Sequence, residues 1–189
     1  MRITGGHLRS RPLKAPKGTA TRPTSDRVRE ALFNILSEEC AGARVLDLYA
    51  GTGALGLEAL SRGAIFAVVV ERSKDALAAL SANVRALAVE NKTRVVALPA
   101  ERAAKALGLE NGEERFDLVF ADPPYADVNN GAAVRVIEGI VRAAAIAPNG
   151  RLVVEHAQRD PSPVIEGVTL EQARTYGDTT LSFYSSAGS

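Results

Sequence analysis

Four consecutive residues carry chemistry of a recognisable kind: Asp122-Pro123-Pro124-Tyr125. They close an apolar run, Phe116 to Ala121, that reads as a buried parallel strand. Proline fixes φ and disfavours helix in the residue before it. The pair of prolines therefore holds the Asp122 carboxylate and the nearby carbonyls in one arrangement, with Tyr125 offered as a flat stacking face. Such a loop can grip a planar exocyclic amine. The lone pair of an exocyclic amine on a base is delocalised into the ring, so attack by its nitrogen needs acceptors that draw the NH₂ hydrogens out of plane. Asp122 and the Pro123 carbonyl supply two. A fixed carboxylate also stabilises the positive charge that the nitrogen acquires in transit.

Further candidates fall at the ends of other apolar runs. Asp47 and Gly51-Thr52-Gly53 follow RVLDLYA, Glu71 ends AIFAVVVE, and Pro99-Ala100-Glu101 follow TRVVAL. Helical patterns separate these runs: ALGLEALSR stopped by Gly63, Ser73 to about Leu87, AERAAKAL ended by Gly108, and 132–145 with Pro148 and Gly150 punctuating its end. RLVVEH is a fifth strand. Two β-like pieces, near Val168–Tyr176 and Thr180–Tyr184, flank a Gly177-Asp178 turn. Continuously apolar strands alternating with helices predict an α/β fold. It is a mostly parallel, Rossmann-like sheet of seven strands with helices on both faces and an antiparallel hairpin at the C-terminal edge. Open sheets of this kind bind ligands at the carboxyl ends of their strands, where all these candidates fall.

Gly51, Gly53 and Gly56 match G-x-G-x-x-G, a dinucleotide signature. The carboxylate of Asp47, four residues before Gly51, argues against a pyrophosphate and for a cationic ligand. S-adenosylmethionine, with a sulfonium, an ammonium and no phosphate, has that chemistry. Asp47 with its glycine turn resembles the D-x-x-x-G-x-G motif of Rossmann-like methyltransferases. The tetrapeptide resembles the D/N-P-P-Y motif of those that methylate amino nitrogens. The resemblance implies that Asp47 holds the cofactor's amino group and Glu71 its ribose hydroxyls. It sets the cofactor against Tyr49, Ala50, Gly51, Thr52, Gly53, Leu55, Arg72, Ala100, Glu101 and Asp122 as well. Asp122, Pro123, Pro124 and Tyr125 are then the catalytic residues. Pro99-Ala100 departs from the common acidic or polar residue before Ala, so the adenine would rely on backbone groups there.

The chain has 189 residues, 46% of them hydrophobic, and one cysteine, Cys40. That fits one globular domain with a small appendage and predicts no disulfide framework. The start lacks a signal-peptide pattern and no run is long enough for a membrane span, so the cytoplasm is the expected compartment. Net charge is +1, but residues 1–30 carry +6 and the remainder −5. A basic arm on a mildly acidic body predicts a polyanionic partner. A helix through DRVREALFNIL follows, capped by Thr24 or Ser25, with Val28, Leu32, Ile35 and Leu36 as its apolar stripe and Arg27 and Arg29 off it. The expected division is residues 1–40 as extension and helix, and 41–185 as methyltransferase domain.

The arm, RPT-x-DRVREALFN, the glycine run, DPPY and a terminal YGDT-x-L-x-FY together resemble one bacterial family over nearly the whole chain. These are the small-subunit ribosomal RNA guanine-N2 methyltransferases acting on position 966 of that RNA. Tyr49 and Thr52 stand where Phe and Ser are usual. A monomer is the default expectation and the sequence holds no His/Cys cluster for a metal; the resemblance implies transfer of a methyl group to the N2 amine of a guanine in 16S rRNA, within the small subunit or its assembly intermediate. It implies RNA contact by Arg2, Arg9, Arg11, Lys14, Arg22, Pro23, Thr24 and Arg27, with the target base unpaired and stacked on Tyr125. The competing readings are methylation of DNA adenine N6 or of a protein glutamine, and an RNA-binding assembly factor without turnover. His7 is expected at the surface, His156 as a satisfied structural residue and Cys40 as a small hydrophobe.

Overall fold

A computed structural model describes residues 1–16, 25–109, 112 and 114–186, except the side chains of Tyr125 and Asn129. Apolar runs become β1 (Arg44–Asp47), β2 (Phe66–Glu71), β3 (Thr93–Ala97) and β4 (Phe116–Ala121), followed by β5 (Ile146–Ala157), β6 (Val168–Tyr176) and β7 (Thr179–Ser186). Among the described residues these form one sheet in the order β3-β2-β1-β4-β5-β7-β6. The first five strands run parallel, and β7 lies antiparallel between β5 and β6. The expected seven strands and C-terminal hairpin are present.

Successive residues of a strand point to opposite faces, and the core divides accordingly. Val45, Val69, Phe120 and Phe183 pack on one face with α1 (Asp26–Leu36), α2 (Ala54–Ser61) and α3 (Lys74–Leu87). Leu46, Val68, Val119 and Tyr184 pack on the other with α4 (Ala103–Ala106) and α6 (Ala132–Arg142), which follows the short α5 (Tyr125–Asn129). Ser25 caps α1 by accepting from the Val28 amide at 3.2 Å, and Ser73 caps α3.

Three local expectations are corrected. The helix after Gly131 ends at Arg142, and the strand already begins at Ile146, so Pro148 and Gly150 lie inside β5. They occupy an irregular stretch, where the partner of β4 shifts from Ile146 to Arg151. Proline is tolerated there because the ladder is broken. Tyr125 opens α5, not a loop, since a proline just before a first helical turn loses no hydrogen bond that the helix needs.

The third correction is Arg29, expected off the apolar stripe of α1 and found with a side chain 0% exposed. It donates to Glu58 at 3.3 Å, to Asp26 at 2.8 Å and to the Arg2 carbonyl. Glu58, itself fully buried on α2, also accepts from the Thr4 amide and hydroxyl at 2.8 Å each, the Gly5 amide at 2.7 Å and Arg62 Nε at 2.9 Å. Buried charges persist only when paired and hydrogen-bonded. This cluster ties residues 1–16 to the body. That segment folds back on itself through an antiparallel bridge between Arg2 and Pro12, and its Ile3 and Leu13 join the core of α1 and α2.

Candidate active site

The sheet order reverses direction between β1 and β4, and the cleft opens above that point. Asp47 ends β1, opposite Val69 of β2 and Phe120 of β4. Glu71 ends β2, and Asp122 follows β4 directly. A cleft of about 540 Å³ joins them. Tyr49, Ala50, Gly51, Thr52, Leu55, Arg72, Ala100, Glu101 and Pro124 also line it, so it collects nearly every predicted cofactor residue. Gly53 stands outside as the left-handed cap of α2, and Pro123 is buried behind Pro124. Tyr125 begins α5 through its backbone. Its side chain, like Arg22, Pro23 and Thr24, lies outside the described part of the structure.

Asp47 is 1% exposed. Its Oδ2 accepts from the Gly56 amide at 3.3 Å, while Oδ1 has no hydrogen-bond partner. Burial pushes its pKa up to about 7, opposed by the Gly56 and Tyr49 amides and reinforced by the charges of Asp122 and Glu71. A buried carboxylate with one idle oxygen, facing a cleft that Glu71, Glu101, Asp122 and Asp127 also line, is arranged for a cation. Gly56 permits the geometry: a Cβ there would lie 2.8 Å from Val69 Cγ1, so only glycine lets α2 sit this close to β2. Gly51 adopts φ +55° with open space where a Cβ would be, which leaves its backbone accessible to a ligand.

Glu71 is more engaged than the sequence suggests. Its Oε2 accepts from the Gly51 amide at 2.8 Å, and its Oε1 from the Arg72 and Ser73 amides at 2.8 and 2.7 Å. Three of about four acceptor directions are taken. The side chain thus holds the glycine turn and the entry to α3 together, leaving about one direction for a ligand hydroxyl. At the other end of the cleft, burial raises the Tyr49 pKa, helped by the charges of Glu101 and Asp127. Its hydroxyl stays protonated.

Several lining residues escaped the sequence reading. Asp127 enters the cleft from α5, a helix that the two prolines concealed. Proline at a helix start was the available signal. Met1, Ala15 and Pro16 form a roof from the N-terminal segment. Nothing in their spacing marks them, because only the fold of residues 1–16 brings them over the cleft. Arg2, Arg9, Arg11, Lys14 and Arg27 are exposed, and Arg11 also donates to the Ala86 carbonyl at 2.6 Å. His156 is buried with Nε2 2.9 Å from Ser182 Oγ, a structural role. Cys40 is buried, its thiol pKa pushed up to about 11 chiefly by burial. Among the described residues no helix is long and apolar enough to cross a membrane.

The family described as conserved hypothetical protein 95 matches residues 1–185. YlbH of Bacillus subtilis (strain 168) is 35% identical over 189 residues, all of both chains. Ribosomal RNA small subunit methyltransferase D of Haemophilus influenzae is 31% identical over 97% of this chain and 93% of its own. The solved structure of yhhF from Escherichia coli superposes with a TM-score of 0.81 at 30% identity, covering 100% of this chain and 99% of that one. SMU.776, solved in complex with SAH, shares the fold alone, with a TM-score of 0.66 at 15% identity over 87% of this chain and 50% of that one. With the family matched from end to end and the motifs gathered in one cleft, the chain belongs to the conserved hypothetical protein 95 family, a family of bacterial 16S rRNA methyltransferases.

Proposed function

We propose that this chain transfers a methyl group from S-adenosylmethionine to the exocyclic N2 amine of a guanine in 16S rRNA. The observation that carries the reading is the meeting of Asp47 and Asp122 in one cleft, from adjacent strands at the point where the sheet order reverses. One acid suits the ammonium of a bound cofactor and the other suits an amine acceptor.

Bound there, S-adenosylmethionine supplies an electrophilic methyl whose carbon–sulfur bond breaks as the carbon–nitrogen bond forms. The chain supplies position and charge. Asp47 Oδ1, idle without a ligand, receives a donor. The backbone of Gly51 faces the ligand, and Glu71 fixes that turn from below. Asp122 accepts from the guanine amine, localises its lone pair and stabilises the cation that forms, before the proton leaves to the carboxylate or to water. Tyr125 stacks on a base already out of its helix. Residues 1–40 form the RNA-contacting extension, with exposed Arg2, Arg9, Arg11, Lys14 and Arg27 on the phosphate backbone. The name borne by the Haemophilus influenzae relative supports ribosomal RNA of the small subunit as the substrate.

The test incubates the protein with labelled S-adenosylmethionine and small ribosomal subunits from cells lacking this methylation, then identifies the product nucleoside by mass spectrometry. N2-methylguanosine is expected. Label in duplex DNA or in protein glutamine instead, with cofactor binding intact, would transfer the same chemistry to another acceptor and end the guanine reading.

A further inference from the structure

Asn83 lies on α3, outside the cleft, and no motif marks it. It is 1% exposed, and its amide is fully used. Its Oδ1 accepts from the Lys14 amide at 2.7 Å, and its Nδ2 donates to the carbonyls of Lys14 and Thr52 at 3.0 Å each. One side chain therefore pairs with both backbone groups of a residue in the N-terminal segment, as a strand neighbour would, and also with the glycine turn. The Thr52–Gly53 peptide is then held at both ends, since the Gly53 amide donates to the Ala50 carbonyl at 2.7 Å. Ala15 and Pro16, which directly follow Lys14, roof the cleft with Met1, and Met1 Sδ approaches the Thr52 hydroxyl at 3.9 Å.

We infer that Asn83 is a positioning residue that couples the N-terminal roof to the glycine turn, so that cofactor binding and docking of residues 1–16 favour each other. The inference rests on the cofactor reading above. A ligand in the cleft touches a turn whose shape is set from the same amide that seats the roof. Binding that needs the turn in this shape therefore favours the docked roof, and by linkage the docked roof favours binding to the same degree. Asparagine is suited to the position because it presents an acceptor and a two-hydrogen donor at once. An aspartate keeps the acceptor for the Lys14 amide and loses both donated bonds.

The test uses S-adenosylhomocysteine as the probe and the full chain. In the unsubstituted protein, saturating probe should slow trypsin cleavage after Arg9 and Lys14 by about fivefold or more. Asn83→Ala should lower probe affinity in calorimetry about tenfold and abolish that protection. Asn83→Asp, whose second oxygen would face the carbonyls of Lys14 and Thr52, should lose at least as much as Asn83→Ala. For methyl transfer, KM for S-adenosylmethionine should rise about tenfold in Asn83→Ala while kcat falls less than about threefold. Thermal melts identify a variant that has not folded, and the protease experiment on the unsubstituted protein needs no variant. Probe binding without protection of the two sites would overturn the coupling. So would unchanged affinity in a folded Asn83→Ala. No probe binding by the unsubstituted protein would instead refute the cofactor reading itself.

Discussion

Asp47→Asn should shift the stability of the ligand-free protein upward relative to the unsubstituted chain as pH rises, giving a net gain above about pH 7. The Asp47 pKa stands at about 7 in the folded chain against 3.8 for the ordinary group. Its folded value is raised, so the folded chain holds a proton that the unfolded chain releases, and stability falls as pH climbs from about 4 to about 7. Each unit of difference corresponds to about 1.4 kcal/mol. The Asp47 carboxyl thus costs about 2 kcal/mol near pH 5 and about 4 kcal/mol near pH 8. Asp47→Asn removes this cost and adds one of its own, an amide hydrogen without a partner, worth about 1–3 kcal/mol. That second cost does not vary with pH. The advantage of the variant over the unsubstituted chain should therefore grow by roughly 2–3 kcal/mol between pH 5 and pH 8, whatever its absolute size. For a domain of this length that is a Tm difference growing by about 5–10 °C. Calorimetric scans of both proteins at the two pH values read it directly, and titration with S-adenosylhomocysteine should show binding weakened in the variant. A Tm difference equal at both pH values would refute the assignment of a buried, proton-holding carboxyl at this position.

Glu58→Ala should cost about 3–5 kcal/mol in urea denaturation, because it removes one acid partner of the fully buried Arg29 and the acceptor of Thr4, Gly5 and Arg62 together; a loss below about 1 kcal/mol would show the cluster to be incidental. Replacing exposed Arg9 and Lys14 together by Ala should reduce the salt slope of RNA binding by about 2, with S-adenosylhomocysteine affinity kept; an unchanged slope would remove the segment from the RNA interface. Asp122→Ala should lower kcat about 100-fold or more while cofactor affinity changes by only a few fold; retained turnover would take this side chain out of the chemistry.

The sheet was legible because each buried strand is a continuous apolar run, and such runs have few other places to go. Asp47, Glu71 and Asp122 were legible for a related reason: an acid at the end of such a run marks where the chain leaves the core. The irregular start of β5 was not legible. Pro148 and Gly150 normally end elements, and only pairing with β4 shows that the strand absorbs them in a register shift. Arg29 misled through its type, since a charged side chain is assigned to solvent unless its partner is known. Its partner, Glu58, lies 29 positions away on α2. The roof escaped for the same reason, because Glu58 and Asn83 bind the backbone of residues 1–16, which carries no sequence signature.

Those two side chains also explain how the fold tolerates an idle, buried oxygen on Asp47. A carboxylate without its ligand is a cost confined to one end of β1. A few residues away, α2 buries Glu58 and Ser61 and α3 buries Asn83, and all three hydrogen-bond to the N-terminal segment. Glu58 accepts five hydrogen bonds and Asn83 makes three, so this part of the molecule is fixed by contacts that do not involve the ligand. The glycine turn is therefore held in shape by contacts that need no ligand. Preorganisation of this kind lowers the reorganisation needed on binding. It also predicts where evolution or design would find stability most cheaply in this chain: at Asp47, at the expense of the cofactor.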